Sequence, residues 1–80
     1  MNEDVTIDTE TQNRWILGET LPGVHFSMCQ SVRVISGPHT GVIGELISIY
    51  AVTPEPLFHV ETSDGGDLIL RQSVLAPLES

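Results

Sequence analysis

Eighty residues with 11 acidic side chains, three arginines and no lysine carry a formal charge of −8. The length fits one small domain, and the charge argues against a phosphate-dominated nucleic-acid partner, which needs several Lys/Arg contacts to displace counterions, and against an anionic membrane surface. No apolar run reaches the roughly 18–20 residues of a membrane span and no basic start precedes an apolar stretch, so a soluble, cytoplasmic protein is expected.

In chain order, residues 1–13 hold Glu3, Asp4, Asp8 and Glu10 and read as an acidic, flexible tail. Residues 14–29 form a lead-in segment built around Trp15, the only tryptophan. Across the junction of these two segments Thr11 to Leu17 reads as one helical turn or a short strand, ended by Gly18, and Val24 to Ser27 reads as a brief extended piece. Residues 30–80 read as the domain proper. Valine and isoleucine together number 15 against two alanines, a balance that favours pleated sheet over helix. Gln30 to Ile35 alternates, with Val32 and Val34 on one face. Ser36-Gly37-Pro38 turns the chain. Val42 to Val52 predicts a long strand bent or bulged near Ser48, because Leu46, Ile47 and Ile49 cannot share one face. The prolines of Thr53-Pro54-Glu55-Pro56 force a loop. Leu57 to Thr62 is a strand with Phe58 and Val60 on one side. Ser63-Asp64-Gly65-Gly66 is a hairpin turn, Asp67 to Arg71 the return strand, Gln72-Ser73 a further turn, and Val74 to Leu78 a closing strand.

The segment from Val32 to Ile49 carries glycines at Gly37, Gly41 and Gly44 between two strands. It resembles the KOW motif of ribosomal L24-type proteins and transcription elongation factors. The continuation through Phe58-His59-Val60-Glu61, Asp64-Gly65 and Val74-Leu75 is similar to SH3-like barrels. The resemblance covers about residues 30–78. It implies an all-β, five-stranded, SH3-like (KOW-like) barrel, with a closed or nearly closed sheet and an irregular N-terminal extension. RNA-binding KOW segments usually carry lysine or arginine around the second glycine. Here Pro38, His39, Thr40 and Val42 stand there, so the resemblance does not carry over nucleic-acid binding.

Other chemistry finds little purchase. His25, Cys29 and His59 would have to converge for a metal site, and the expectation is no metal and no cofactor. Cys29, the only cysteine, excludes an internal disulfide and reads as a small buried hydrophobe. No carboxylate pair or nucleophile–base arrangement marks an enzyme. Trp15, Leu17 and Phe26 are expected to cover an open end or an edge of the barrel, with an exposed Trp15 anchoring a partner as the rival reading. The remaining function is binding. The expected partner is a basic protein, met by an acidic surface in the manner of an inhibitor or immunity-type protein. The candidate contacts are Trp15, the loop residues Pro38, His39 and Thr40, and the carboxylates Glu55, Glu61, Asp64 and Asp67. The alternatives are a KOW-type RNA- or ribosome-associated module and a His/Cys metal-binding protein. An exposed sheet edge offers a route to self-association.

Overall fold

Side-chain alternation decides which face of each strand turns inward. Val32 and Val34 are 0% and 1% exposed, whereas Arg33 between them is exposed. Phe58 and Val60 are both 0% exposed on either side of a half-buried His59. In a strand, successive side chains point to opposite faces, so these residues commit one face of the sheet to the core. The structure, a computed structural model, describes residues 8–78. It contains one helix, α1 (Thr9–Ile16), and five strands: β1 (Ser31–Val34), β2 (Ile43–Ala51), β3 (Leu57–Thr62), β4 (Asp67–Arg71) and β5 (Leu75–Pro77). A 3-10 turn, Gln72–Val74, separates β4 from β5.

The strands form one antiparallel sheet in the order β4-β3-β2-β1-β5. The first four strands make a meander, and the 3-10 turn sends β5 back to lie beside β1. The long β2 is bulged, as its apolar pattern requires. Its register with β3 shifts between Leu46 and Ser48 and again between Ile49 and Ala51. Those shifts let Leu46, Ile49 and Ala51 all turn inward, each 1% exposed or less. The sheet is not closed. Among the described residues β4 and β5 each pair with one neighbour and not with each other.

The N-terminal region departs from an all-β, irregular extension. Asp8 caps α1, its carboxylate accepting a hydrogen bond from the Thr11 N–H at 2.9 Å. Arg14 pairs with Glu10 one turn earlier at 3.2 Å. The helix ends in a Schellman arrangement: Gly18 N–H donates to the Trp15 carbonyl and Glu19 N–H to the Arg14 carbonyl, both at 3.0 Å. Gly18 adopts φ +98°, which only glycine takes without strain. Residues 9–13, assigned by composition to the tail, are therefore helical; residues 1–7 lie outside the described residues. Leu17 does not cover the sheet, being 80% exposed, because the helix turns only Trp15 inward. Cys29 is exposed rather than buried. It sits in a turn at φ +67° and uses its backbone N–H, not its thiol, to bind the Leu46 carbonyl at 2.8 Å.

Trp15 and Phe26 close over the sheet. The Trp15 ring lies 5.6 Å from Phe58, and Phe26 meets Phe58 edge-on at 5.9 Å. The Trp15 indole N–H donates to the Phe26 carbonyl at 2.9 Å. Leu21 and Val24 join the same cluster with Leu46, Ile49 and Leu75. Two glutamines fasten the N-terminal segment further. Gln12 donates to the Ile49 carbonyl at 2.8 Å, beside the bulge. Gln72 accepts from the His25 N–H at 2.8 Å and donates to the Gly23 carbonyl at 3.1 Å, so one side-chain amide holds the lead-in much as a neighbouring strand would.

At Gly44 β2 and β3 approach tightly. A Cβ built there would stand 2.5 Å from the Glu61 carbonyl oxygen and 2.7 Å from Val60 Cγ1. In an ordinary strand Gly→Ala stabilises. Here Gly44→Ala is expected to destabilise by about 1–3 kcal/mol through overpacking, read from the urea midpoint by circular dichroism.

Candidate functional site: a carboxylate row across the sheet

Register builds the site. Glu45 on β2 stands directly opposite Glu61 on β3, and Glu61 directly opposite Asp67 on β4. Opposed residues in an antiparallel pair point to the same face with Cβ atoms roughly 4.5–5.5 Å apart. Three carboxylates thus form one row across three neighbouring strands, on the face turned away from the core. Ser31 on β1 continues the row beside Glu45. All three acids are exposed. A shallow hollow of ≈ 300 Å³ lined by Ser31, Gly44, Glu45, Glu61 and Ser63 lies alongside.

Cationic relief is sparse. Among the described residues the ion pairs are Arg14–Glu10, on the helix, and His59–Asp67 at 2.9 Å. His59 also meets the Tyr50 hydroxyl through Nδ1 at 3.2 Å and stacks on the Tyr50 ring. Its contact with Asp67 becomes an ion pair only when the imidazole is protonated. Glu45 and Glu61 have no such partner among the described residues. Like charges directly opposite each other in a sheet are destabilising.

The structure sorts the residues singled out in the sequence. Glu61 and Asp67 belong to the row. Asp64 sits at the hairpin tip, where its carboxylate accepts from the Thr62 hydroxyl and from the Gly66 N–H at 3.3 Å. These bonds, the Thr62 hydroxyl first, hold the Asp64 carboxyl below its ordinary value of 3.8. His39 joins Asp64 and Asp67 around a second hollow of ≈ 220 Å³ between the β1–β2 loop and the hairpin tip. Pro38 and Thr40 flank it on the exposed loop, where the Thr40 hydroxyl donates to the Gly37 carbonyl at 2.7 Å. Glu55 stands apart. Its carboxylate accepts from the Ser73 N–H at 2.8 Å and ties the proline loop to the 3-10 turn. Trp15, at 1% exposure, lies in the core and not on a surface open to a partner. Glu45 is the member that sequence reasoning missed. Its pairing with Glu61 depends on a register set by the bulges and by Gly44.

No group of three or more His, Cys, Asp or Glu side chains that could hold an ion gathers among the described residues. No helix among them is long and apolar enough to cross a membrane. No protein-family model, no curated protein and no solved structure matches the chain.

Two predictions follow from the charges. Glu61→Gln removes the central charge of the row, so it is expected to stabilise the fold by roughly 0.2–1 kcal/mol at low salt; the gain shrinks as added salt screens the row, as denaturation midpoints at two ionic strengths will report. Asp64, with a lowered folded value, contributes stability that is fully present above about 3.8 and lost as pH falls through the lower folded value. The Gly66 amide resonance is expected to move over that acid range in the native chain and to stay flat in Asp64→Asn.

Proposed function

We propose that the chain is a small SH3-like (KOW-like) barrel domain that binds a basic protein through its carboxylate row and performs no catalysis, as an inhibitor or immunity-type protein of a cationic partner would. The observation that carries this reading is the alignment of Glu45, Glu61 and Asp67 on one exposed face. A row that opposes folding and has little internal compensation gains most from external positive charge. The field of such a row raises the association rate toward a cationic surface. The small-barrel reading is supported by the meander, by the 3-10 turn that returns β5 to β1, and by the glycine spacing in the β1–β2 connection. A KOW-type role on RNA gains no support from the charge, since Pro38, His39 and Thr40 occupy the loop where basic residues would be needed. A cytoplasmic setting fits a chain whose one cysteine stays free.

The reading is tested by titrating the isotope-labelled protein with a lysine- and arginine-rich peptide at low salt. Shifts are expected to concentrate on β2, β3 and β4 around Glu45, Glu61 and Asp67. The double variant Glu45→Gln/Glu61→Gln is expected to weaken binding about tenfold, the scale of 1.4 kcal/mol. Shifts confined to α1, or none at all, would overturn it.

A further inference from the structure

The strand order leaves β4 and β5 as the two edges of the sheet, and the edges are not alike. β5 is three residues long and ends in Pro77, which has no N–H to donate, so it is blunted in the usual way. β4 is five residues long, contains no proline, and carries Ile69 at 51% exposure.

Which backbone groups of β4 face outward follows from its pairing with β3. The Thr62 N–H donates to the Gly66 carbonyl at 2.8 Å, and the Gln72 N–H to the Pro56 carbonyl at 2.9 Å. Hydrogen-bonded and non-hydrogen-bonded pairs alternate in an antiparallel ladder. Val60–Leu68 and Phe58–Leu70 are therefore the bonded pairs between those two points, and Glu61–Asp67, His59–Ile69 and Leu57–Arg71 the non-bonded ones. The N–H and C=O groups of Asp67, Ile69 and Arg71 point away from β3. Among the described residues no loop or side-chain hydrogen bond reaches them.

From this edge we infer that two copies of the chain associate by antiparallel pairing of β4 with β4, with Ile69 on the two-fold axis. In that register Asp67 of each copy faces Arg71 of the other, and each of the three facing pairs exchanges two backbone hydrogen bonds. Ile69 meets Ile69 on the outer face, and Leu68 meets Leu70 on the inner one. The register is unique in its charge pairing. Only alternate residues present outward backbone groups, so pairing can slip only in steps of two. Either slip moves Asp67 away from Arg71. A charged edge normally discourages pairing, but opposite signs at the two ends of one strand become complementary under a two-fold axis. This inference does not depend on the carboxylate row having a partner. The dimer would place two such rows on one continuous ten-stranded face.

The test is sedimentation velocity at about 0.15 M salt, where a Debye length of about 8 Å screens the repulsion between two acidic molecules more than it weakens adjacent ion pairs. The native chain is expected to sediment faster as concentration rises toward about 1 mM. Arg71→Asp alone sets Asp against Asp67, and Asp67→Arg alone sets Arg against Arg71; each is expected to weaken association at least about tenfold. The double exchange Asp67→Arg/Arg71→Asp restores opposite charges and is expected to recover it. Ile69→Pro removes an outward N–H that no described group uses, so it is expected to abolish the dimer; circular dichroism checks that each variant keeps its fold, and the charge-exchange set decides alone if the proline variant does not. A native chain that stays monomeric throughout overturns the inference. So does a dimer indifferent to the single charge reversals.

Discussion

The contact between Trp15 and Phe58 is the joint on which the rest of the molecule depends. The five strands bury one face only, and that face needs a lid. Trp15 supplies it from α1, Phe26 from the lead-in, and both converge on Phe58 near the start of β3. The indole N–H closes the arrangement by satisfying the Phe26 carbonyl inside the core. Replacing so large a buried ring by alanine typically costs about 3–5 kcal/mol, which is comparable with the whole stability of a small domain. The N-terminal segment is thus part of the core and not an ornament on a finished sheet. Gln12 and Gln72 add polar fastenings on either side of the same joint.

This packing limits what the surface has to offer. Of the four aromatic residues, three are consumed inside, and Tyr50 is stacked on His59. A groove of exposed aromatics for a proline-rich peptide is therefore absent from the described surface. What the outer face offers instead is charge, arranged by register into a line. Its position is a by-product of strand pairing: the close approach at Gly44 brings β2 against β3 and sets Glu45 opposite Glu61.

Much of the sheet was legible because its signals are local. Val32 and Val34, Phe58 and Val60, and the Asp64-Gly65 turn each announce themselves within a few residues. The bulge near Ser48 was also legible, since three apolar neighbours cannot share a face without one. The helix was legible only as an alternative to a short strand over Thr11–Leu17, with Gly18 as its end, because it is short and buries a single residue, leaving no apolar stripe to read; the Asp8 cap and the Glu10–Arg14 spacing were its further signals. Part of the site was within reach, as a turn at Ser63–Gly66 already sets Glu61 against Asp67. Glu45 was not, because its place depends on two register shifts and a proline loop that sequence patterns do not count. The burial of Trp15 was expected on grounds of size, whereas the outward position of Leu17 depends on the phase of a helix that the sequence left undecided.

Placing the sole indole at the joint between helix and sheet has an optical consequence. Every photon of tryptophan emission from this molecule comes from one buried site, in contact with one sheet aromatic and bonded to one carbonyl. With excitation selective for the indole, which leaves Tyr50 dark, the emission colour therefore reports whether the lid is seated. Set beside the circular dichroism of the strands, this built-in gauge separates loosening of the N-terminal segment from melting of the sheet.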